Sequence, residues 1–326
     1  MTSSLSSGIE FYFQCAVLVI GVVATATNAF VIYALVASKQ YKKHLLIVNQ
    51  NVLDLFGSFF LIITYSVKLC DIYLIGSIGH WLCTILISES LWSCGITGSI
   101  INLAVITVER YLKVVHPVWS KKKLRKWMEY SAMAFAWIGS ITYNMALVFP
   151  TTRVVDGVCY PYSFWKNKTD AAISIIGNFV LFYVITLLIF IWCYWRILIV
   201  IRRQASVMAY HHESAEPHTA QAQFNKIQSS VIKTMIFVSA LYAIAWLPSN
   251  ISVLLLSLNP KYALPGSGYY ASVFISFMYV CINPFIYAIK FDPVREILIR
   301  MIPCMKTPEQ GTENVTGAGI ALHGVT

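Results

Sequence analysis

Long apolar runs separated by short polar connections dominate the hydrophobic pattern of this chain. A transmembrane helix needs about 20 mostly apolar residues, and seven runs are long enough. These runs cover residues 11–37, 45–68, 81–112, 128–149, 171–201, 229–257 and 269–289. A shorter stretch follows at 291–304, where Asp292-Pro293 is typical of a helix start and apolar and basic residues alternate. The pattern predicts an all-α fold: an integral membrane bundle of seven transmembrane helices with a short amphipathic eighth helix.

The same pattern divides the chain into four parts. Residues 1–10 are predicted to form an extracellular tail, residues 11–290 the bundle, residues 291–304 the eighth helix, and residues 305–326 a disordered cytoplasmic tail. Composition supports a membrane protein, because 58% of the residues are hydrophobic and only 12% are charged. Soluble domains have about 25% charged residues.

The distribution of charge orients the predicted bundle. The net charge of +10 would suit a nucleic-acid partner, but the basic residues stand in short blocks between apolar runs, which argues against one. Most of the 24 lysines and arginines fall in connections on the side of the predicted bundle that also holds the C-terminus. Such a basic excess is typical of cytoplasmic loops. We therefore expect a multi-pass plasma-membrane protein with an extracellular N-terminus. The basic run 121–126 serves either as an anchor to anionic membrane lipid or as a protein contact.

Three kinds of modification suit this orientation. Asn167 begins an Asn-Lys-Thr glycosylation acceptor in a predicted outer loop. Cys83 and Cys159 both lie on the outer, oxidising side, where they can form a disulfide. Cys304 follows the eighth helix on the inner side and is a candidate for palmitoylation.

Six short motifs occur on the predicted spans in a fixed order. They are Asn28 on span 1, Leu53-Asp54-Leu55 on span 2, Glu109-Arg110-Tyr111 ending span 3, Trp137 on span 4, Trp246-Leu247-Pro248 on span 6 and Asn283-Pro284-Phe285-Ile286-Tyr287 on span 7. With these residues the chain resembles the rhodopsin-like (class A) G protein-coupled receptors over about residues 10–305. The resemblance implies a receptor that couples an extracellular ligand, or basal activity, to an intracellular heterotrimeric G protein. Arrestin and receptor kinases would be further partners.

Asp54 is an acid in mid-span without a basic neighbour, so it needs polar partners. Asn28, Ser99 and Asn283 stand at comparable depth and could hold water or a small cation with it. The alternative is a protonated, hydrogen-bonded Asp54. The resemblance implies a sodium ion at Asp54, Ser99 and Asn283 in the resting state, and no other cofactor is expected. Gly95 stands where related receptors often have an asparagine.

Two prolines inside predicted spans each remove a backbone hydrogen bond and bend their helices. A kink at Pro248 beneath the bulky Trp246 makes a lever, so that a small displacement of Trp246 by a ligand would swing the inner half of span 6. Pro284 bends span 7 in the same way. The alternative is that both kinks are static and serve only packing.

The inner end of span 3 carries the implied coupling site. By resemblance, Arg110 pairs with Glu109 at rest and faces an inner cavity on activation, where Tyr194 and Tyr287 could meet it. A terminal helix of the G protein would fill that cavity as a helix in a groove, and Val118 would add an apolar contact. The implied switch and coupling residues are Glu109, Arg110, Tyr111, Val118, Tyr194, Gln228, Trp246, Pro248, Asn283, Pro284 and Tyr287.

The chain departs from the family pattern at several positions. Gln228 replaces an acid that locks Arg110 from span 6 in some relatives, which predicts high basal signalling. Thr186 stands in place of the usual proline of span 5, and Tyr242 in place of the usual phenylalanine of span 6. Cys83 lies two residues further from Arg110 than is usual. Either the disulfide is anchored in the loop or the third helix contains a bulge.

The resemblance places the ligand site in the outer half of the bundle. Its implied walls are Glu89, Trp92, Ser93, Ile96, Asn178, Phe182, Trp246, Ser249, Asn250, Val273 and Phe277. Trp92 stands where amine receptors have an aspartate, and Phe277 where retinal pigments have the lysine of their Schiff base. The expected ligand is therefore a peptide, a lipid or a neutral small molecule, and not a biogenic amine or retinal.

Two outer features leave alternatives open. Glu89 either meets a cationic group of a peptide or faces the outer solvent. The second outer loop, at about 150–170, is rich in aromatic residues. It either covers the pocket as a lid or occupies the pocket as a tethered ligand.

The alternative function for seven spans is a membrane transporter or channel. A transporter often shows repeat symmetry and several intramembrane charges along a path, whereas this chain shows one mid-span acid. A membrane-embedded enzyme would need clustered catalytic groups within the spans. All seven histidines lie in connections or near helix ends, so we expect no enzyme activity.

Overall fold

The computed structural model describes residues 2–70, 72–211, 219–258 and 266–290, together with Val294, Arg295, Ile297 and Ile299. The side chains of residues 2–7, 204–211, 219–231, 258 and 287–290 lie outside this description. Within it, seven helices are long and apolar enough to cross a membrane, which confirms the seven predicted spans.

The helices follow one another along the chain in the predicted order. They are α1 Thr2–Ala37, α2 Leu45–Leu69, α3 Gly76–Leu82, α4 Ser90–Val115, α5 Pro117–Lys123, α6 Lys126–Thr151, α7 Lys168–Asn178, α8 Ile185–His211, α9 Thr219–Leu258 and α10 Gly266–Lys290. Span 3 is α3 and α4 joined by a π-helical turn at Cys83–Ile87, and span 5 is α7 and α8 joined by a π-helical stretch at Phe179–Val184. Spans 1, 2, 4, 6 and 7 are α1, α2, α6, α9 and α10.

Several helices are longer than the apolar runs that predicted them. The first helix begins at Thr2, within the predicted tail 1–10, and the third begins at Gly76 although its apolar run begins at 81. Span 6 begins at Thr219 although its run begins at 229. Hydropathy follows the thickness of the apolar part of the membrane, and a helix can continue beyond that thickness.

A small β-hairpin is an addition to the predicted all-α fold and lies in the second loop that is predicted to be extracellular. The words outer and inner denote the sides predicted to be extracellular and cytoplasmic. Strands β1 (Arg153–Val155) and β2 (Val158–Tyr160) pair antiparallel, with Arg153 opposite Tyr160. The turn residues Asp156 and Gly157 have φ angles of 49° and 76°, as a two-residue type I′ turn requires. An Asp-Gly pair between β-branched residues is a known hairpin signal, so the sequence did contain it.

Span 3 occupies the centre of the bundle and packs against spans 2, 4 and 5. Its crossing with span 2 is close, because a Cβ added at Gly95 would lie 2.7 Å from the Cα of Gly57. Small residues at such crossings let membrane helices approach each other. This gives a physical reason for glycine where related receptors often have asparagine. Span 1 packs against spans 2 and 7 and closes that side of the ring.

The predicted eighth helix lies largely outside the described residues. Val294, Arg295, Ile297 and Ile299 are helical, and Val294 is buried. Residues 291–293, Cys304 and the tail 305–326 are not described. The eighth helix, palmitoylation of Cys304 and disorder of the tail therefore stay predictions.

Candidate functional site

The outer end of span 3 is fixed by a disulfide and bent by an irregular turn. Cys83 and Cys159 are joined, with their Cα atoms 5.4 Å apart. The π-helical turn begins at Cys83, and Glu89 follows it with a left-handed φ of 61° before α4 starts. This π-helical turn and the break in the helix at Glu89 lie between Cys83 and Arg110, where the chain has its two additional residues. A left-handed backbone at a residue other than glycine costs about 1–2 kcal/mol.

Glu89 lies inside the bundle, in contact with span 2, and is not simply turned to outer solvent. Its Oε1 is 2.5 Å from Nζ of Lys68 and accepts a hydrogen bond of 3.0 Å from the hydroxyl of Tyr65. The same ammonium lies 4.8 Å from the centroid of the Tyr65 ring. About a quarter of the side chain of each ion-pair partner is exposed, and both line a cavity.

This outer cavity, of about 500 Å³, lies among spans 1, 2, 3 and 7 and beneath the β-hairpin. Its lining residues are Glu10, Phe13, Gln14, Tyr65, Val67, Lys68, Ile72, Leu74, Ile87, Glu89, Gly157, Val158, Cys159, Pro161, Tyr269, Tyr270 and Val273. Glu89 and Val273 are the two predicted pocket residues among them. Lys68, Tyr65 and Glu10 were not predicted, because no local pattern marks them as neighbours of Glu89.

The predicted pocket residues Trp92, Ile96 and Phe277 are buried at the centre of the bundle. The ring centroid of Phe277 lies 5.1 Å from that of Trp92 and 6.2 Å from that of Tyr65. Phe13 of span 1 packs against Phe277 as well. These aromatic rings pack together between spans 1, 2, 3 and 7.

The predicted wall residues of span 6 join that span to its neighbours or to itself. The hydroxyls of Ser249 and Ser276 are 2.7 Å apart, across spans 6 and 7. Asn250 donates to the carbonyl of Trp246 within its own helix, at 2.8 Å. Ser93, on span 3, is half-buried and its backbone N–H donates to the carbonyl of Glu89.

Asn178 and Phe182, also predicted as pocket walls, lie elsewhere. Asn178 is exposed and accepts a hydrogen bond of 3.1 Å from the hydroxyl of Tyr143 on span 4. Phe182 packs against the same tyrosine and lines a membrane-facing groove between spans 3, 4 and 5. The π-helical stretch that begins after Asn178 changes which side of span 5 faces inward.

The second outer loop sends one aromatic side chain toward the bundle. Tyr162 has a left-handed φ of 52°, and burial raises the pKa of its phenol. The nearby charge of Glu89 raises that pKa further. Trp165 holds the turn by donating to the carbonyl of Tyr162 at 2.7 Å. This placement fits either a lid or a tethered occupant, the two alternatives for the loop.

Asp54 is fully buried at the middle of the bundle. Its Oδ2 accepts a hydrogen bond from Asn283 at 3.4 Å, while Ser99 is hydrogen-bonded to Gln50. Among the buried side-chain oxygens of the described residues that find no donor are Oδ1 of Asp54, of Asn28 and of Asn283. Small hard cations prefer oxygen ligands, so this set fits the sodium ion that the resemblance implies.

A second polar network joins spans 2, 3 and 4 and was not predicted. Asn102 donates to the Gln50 side chain and to the Leu46 carbonyl, at 2.8 and 2.9 Å. Asn49 donates to Asn102 and accepts from the indole of Trp137. Such interhelical hydrogen bonds stabilise a membrane bundle by about 0.6 kcal/mol each on average. Asn49, Gln50 and Asn102 were missed because they lie one turn or more from the motifs.

Neighbouring side chains meet backbone carbonyls in the turn before Pro248. Ser276 of span 7 donates to the carbonyl of Ala245 at 3.1 Å, and Tyr183 of span 5 donates to that of Ala243 at 2.8 Å. Kinked membrane helices commonly use such partners. The indole N–H of Trp246 is buried without an acceptor among the described residues. Movement of the Trp246 ring would therefore break no hydrogen bond of its indole N–H among the described residues.

Tyr242 ties span 6 to the irregular stretch of span 5. Its hydroxyl donates a hydrogen bond to the carbonyl of Phe182, within the π-helical stretch. Its ring packs against those of Tyr183, Phe190 and Tyr279. Tyrosine in place of the family's usual phenylalanine therefore adds a hydrogen bond between the two spans.

At the inner end, the carboxylate of Glu109 holds two cations. Its Oε2 lies 3.0 Å from Nε of Arg110, an ion pair without hydrogen-bond alignment, and its Oε1 is hydrogen-bonded to Lys113. Lys113 also lies 3.9 Å from Glu129 of span 4. The side chains of Glu109 and Arg110 are only 7% and 13% exposed. Breaking a buried pair by removing one partner is costly, about 3–5 kcal/mol.

Three other side chains at this end of the bundle surround the ion pair or lie near it. Burial, and secondly the charge of Arg110, lower the pKa of His44, in the connection after span 1, to about 4. His44 is therefore neutral at neutral pH. Tyr111 packs against Trp192 of span 5 with ring centroids 4.7 Å apart. Val118 is 68% exposed, so its side chain is accessible at the inner surface.

Among the described residues, the hydroxyl of Tyr194 is hydrogen-bonded to side chains other than Arg110. Its hydroxyl is buried between those of Thr107 and Ser239, at 3.0 and 3.2 Å, and so links spans 3, 5 and 6. Gln228 and Tyr287 lie on described helices, but their side chains are outside the description. The predicted meeting of Arg110 with Tyr194 and Tyr287 on activation stays a prediction.

Comparison with known proteins gives consistent matches along the chain. The family described as "7 transmembrane receptor (rhodopsin family)" matches residues 27–287. C-C chemokine receptor type 8 of Homo sapiens is 26% identical over 280 residues, covering 80% of this chain and 70% of that protein. Melatonin receptor type 1C of Gallus gallus is 24% identical over 304 residues, covering 90% of this chain and 82% of that protein.

The fold is also similar to a solved structure. Squid rhodopsin superposes with a TM-score of 0.75 at 18% sequence identity, covering 93% of this chain and 89% of that chain. At this identity the match concerns the fold alone.

Proposed function

Because this chain belongs to the rhodopsin family of seven-transmembrane receptors, it is a G protein-coupled receptor of the plasma membrane, and we propose that its outer cavity controls its inner ion pair. The N-terminus is extracellular in this proposal. The basic inner connections and the disulfide at the opposite end support this orientation.

The observation that carries the proposal is the pairing of Glu109 with Arg110 at the inner end of the central helix. In the resting state the carboxylate of Glu109 pairs with the guanidinium of Arg110, so the guanidinium is not available to a G protein. In the active state span 6 moves, and Arg110 meets Tyr194, Tyr287 and the helix of a G protein. The lever for that movement is Trp246 above the kink at Pro248, with Asn283 and Pro284 as the corresponding elements of span 7.

The outer cavity is the ligand site in this account. A peptide, a lipid or a neutral small molecule remains the expected ligand class, since Trp92 and Phe277 occupy the positions of the amine and retinal partners. A sodium ion held by Asp54, Ser99 and Asn283 would stabilise the resting state. The unpartnered oxygens near Asp54 support that site.

Further partners belong to the same proposal. Arrestin and a receptor kinase would act at the inner surface, and anionic membrane lipid would contact the basic run 121–126. The matched relatives are receptors, so family membership argues against an enzyme and against the alternative of a transporter or channel.

Nucleotide exchange tests the proposal. The purified receptor in lipid nanodiscs is incubated without ligand with each subclass of G protein, beside empty nanodiscs. The Glu109→Gln receptor, in which Arg110 loses its anionic partner, should accelerate exchange on at least one subclass more than the unmodified receptor does. Failure of both receptors to exceed empty nanodiscs with every subclass would contradict the proposal.

A further inference from the structure

The outer cavity has more negative than positive charge. Among its described lining residues, the charged ones are Glu10, Lys68 and Glu89, which is two carboxylates and one ammonium. Glu89 is only about a quarter exposed, so its charge is screened less than that of Glu10, which is exposed. The cavity therefore favours a cation, above all beside Glu89.

The carboxylate of Glu89 has one oxygen available. Lys68 and Tyr65 both contact Oε1, whereas Oε2 makes no hydrogen bond within the described residues and is not sealed from the cavity. The left-handed backbone of Glu89, after the π-helical turn, holds this residue at the cavity wall. Strained backbone often marks a residue whose position serves a function.

Aromatic rings complete a site that suits an organic cation. Phe13, Tyr65, Tyr269 and Tyr270 line the cavity, and rings attract cations through their faces. Lys68 shows this directly, because its ammonium lies against both the carboxylate of Glu89 and the ring of Tyr65. The receptor's own side chain thus occupies the position that the cationic group of a ligand would take.

We propose that this cavity binds an amphipathic ligand with an ammonium or guanidinium group next to a hydrophobic segment. The cationic group of the ligand pairs with Glu89 in place of Lys68. The inference rests on the proposed function and narrows the ligand class of that site. Of the classes expected there it favours a peptide, whose free amino terminus carries such a group. It adds a small organic amine to those classes, paired with Glu89 and not at the position of Trp92. The volume of the cavity, about 500 Å³, is within the range of small-molecule sites.

A purely structural role for the ion pair makes a different prediction. If the pair only joined span 2 to span 3, removal of Lys68 would destabilise the receptor and would not improve the binding of any cation. If Lys68 competes with the ligand, Lys68→Met should strengthen the binding of amines, because Glu89 then has no internal cation.

The test is thermal unfolding of the full receptor in nanodiscs with four probes. They are 3-phenylpropylamine, 3-phenylpropanol, phenylalanyl-alanine amide and its N-acetylated form. A ligand that binds the folded state raises the unfolding temperature. We expect half-maximal stabilisation by the amine at a concentration at least about tenfold lower than by the alcohol. A free-amine peptide that outperforms its acetylated form identifies a peptide as the better source of the cation.

Three variants make the result specific. Glu89→Gln should abolish the preference for the amine over the alcohol, and Lys68→Met should increase the affinity for the amine several-fold. Asp156→Asn should leave both the preference and the affinity unchanged. Asp156 is an exposed carboxylate of the hairpin turn that does not line the cavity. Equal stabilisation by amine and alcohol, or amine binding that Lys68→Met does not strengthen, would overturn the inference. The Lys68→Met comparison remains decisive if Glu89→Gln does not fold.

Nucleotide exchange on the same preparations separates this inference from the proposed function. A receptor that activates a G protein but shows no preference for amines overturns the ligand class alone. A receptor that prefers the amine but activates no G protein, even as Glu109→Gln, overturns the proposed coupling alone.

Discussion

The hydrogen bond from Tyr242 to the Phe182 carbonyl gives a sharp test of how span 6 is held. Tyr242→Phe removes the hydroxyl and keeps the ring, which is 1% exposed and packs against Tyr183, Phe190 and Tyr279. The substitution therefore isolates one bond between spans 5 and 6. The bond belongs to the arrangement in which Arg110 is paired, which we propose is the resting one.

The size of the effect follows from the cost of one such bond in a membrane. Interhelical hydrogen bonds contribute about 0.6 kcal/mol on average and about 1.7 kcal/mol at most. If the bond is lost when span 6 moves, Tyr242→Phe destabilises the resting state alone by this amount. The ratio of active to resting receptor then rises about 3- to 18-fold.

The assay is ligand-free nucleotide exchange on the G protein subclass that the receptor activates, with Tyr12→Phe as a matched control. Tyr12 is 74% exposed on span 1, so the control makes the same chemical change without removing a bond between spans. Tyr183→Phe, which loses the bond to Ala243, should raise basal exchange as well. Unchanged exchange in both Tyr242→Phe and Tyr183→Phe would refute the reasoning.

Two further predictions concern packing and basal activity. Gly95→Ala should lower the thermal unfolding temperature, because its Cβ would meet Gly57 and such overpacking costs about 1–3 kcal/mol. Gly139→Ala is the control, since a Cβ at Gly139 would meet nothing within 4 Å. Equal effects of the two substitutions would contradict this prediction. Gln228→Glu should reduce ligand-free nucleotide exchange by adding an acid that can hold Arg110, and a silent receptor that it leaves unchanged would sink the prediction of high basal activity.

Much of the architecture is predictable because the membrane imposes long apolar runs. The seven spans follow from those runs alone. The beginning of span 1 at Thr2 and of span 3 at Gly76 does not, because helix beyond the apolar layer has no hydrophobic signal. The additional residues between Cys83 and Arg110 predicted a bulge or a loop anchor, and the π-helical turn resolves this in favour of the bulge.

The candidate site was harder to predict, because it depends on which side of each helix faces inward. Asn178 and Phe182 were misplaced since the π-helical stretch of span 5 alters its facing. The contact of Lys68 with Glu89 joins two spans that no sequence pattern pairs. In contrast, Glu109 and Arg110 are adjacent in sequence, and their ion pair is present as the resemblance implied.

Coupling through Arg110 is the central claim, and nucleotide exchange with a neutral replacement tests it most directly. Arg110→Leu removes the guanidinium that Glu109 holds at the inner end of span 3. It is compared with Arg153→Leu, which removes an exposed guanidinium from the outer hairpin. The account predicts that Arg110→Leu, present in the membrane at normal levels, abolishes G protein activation while Arg153→Leu retains it. Full activation by the Arg110→Leu receptor would contradict the account.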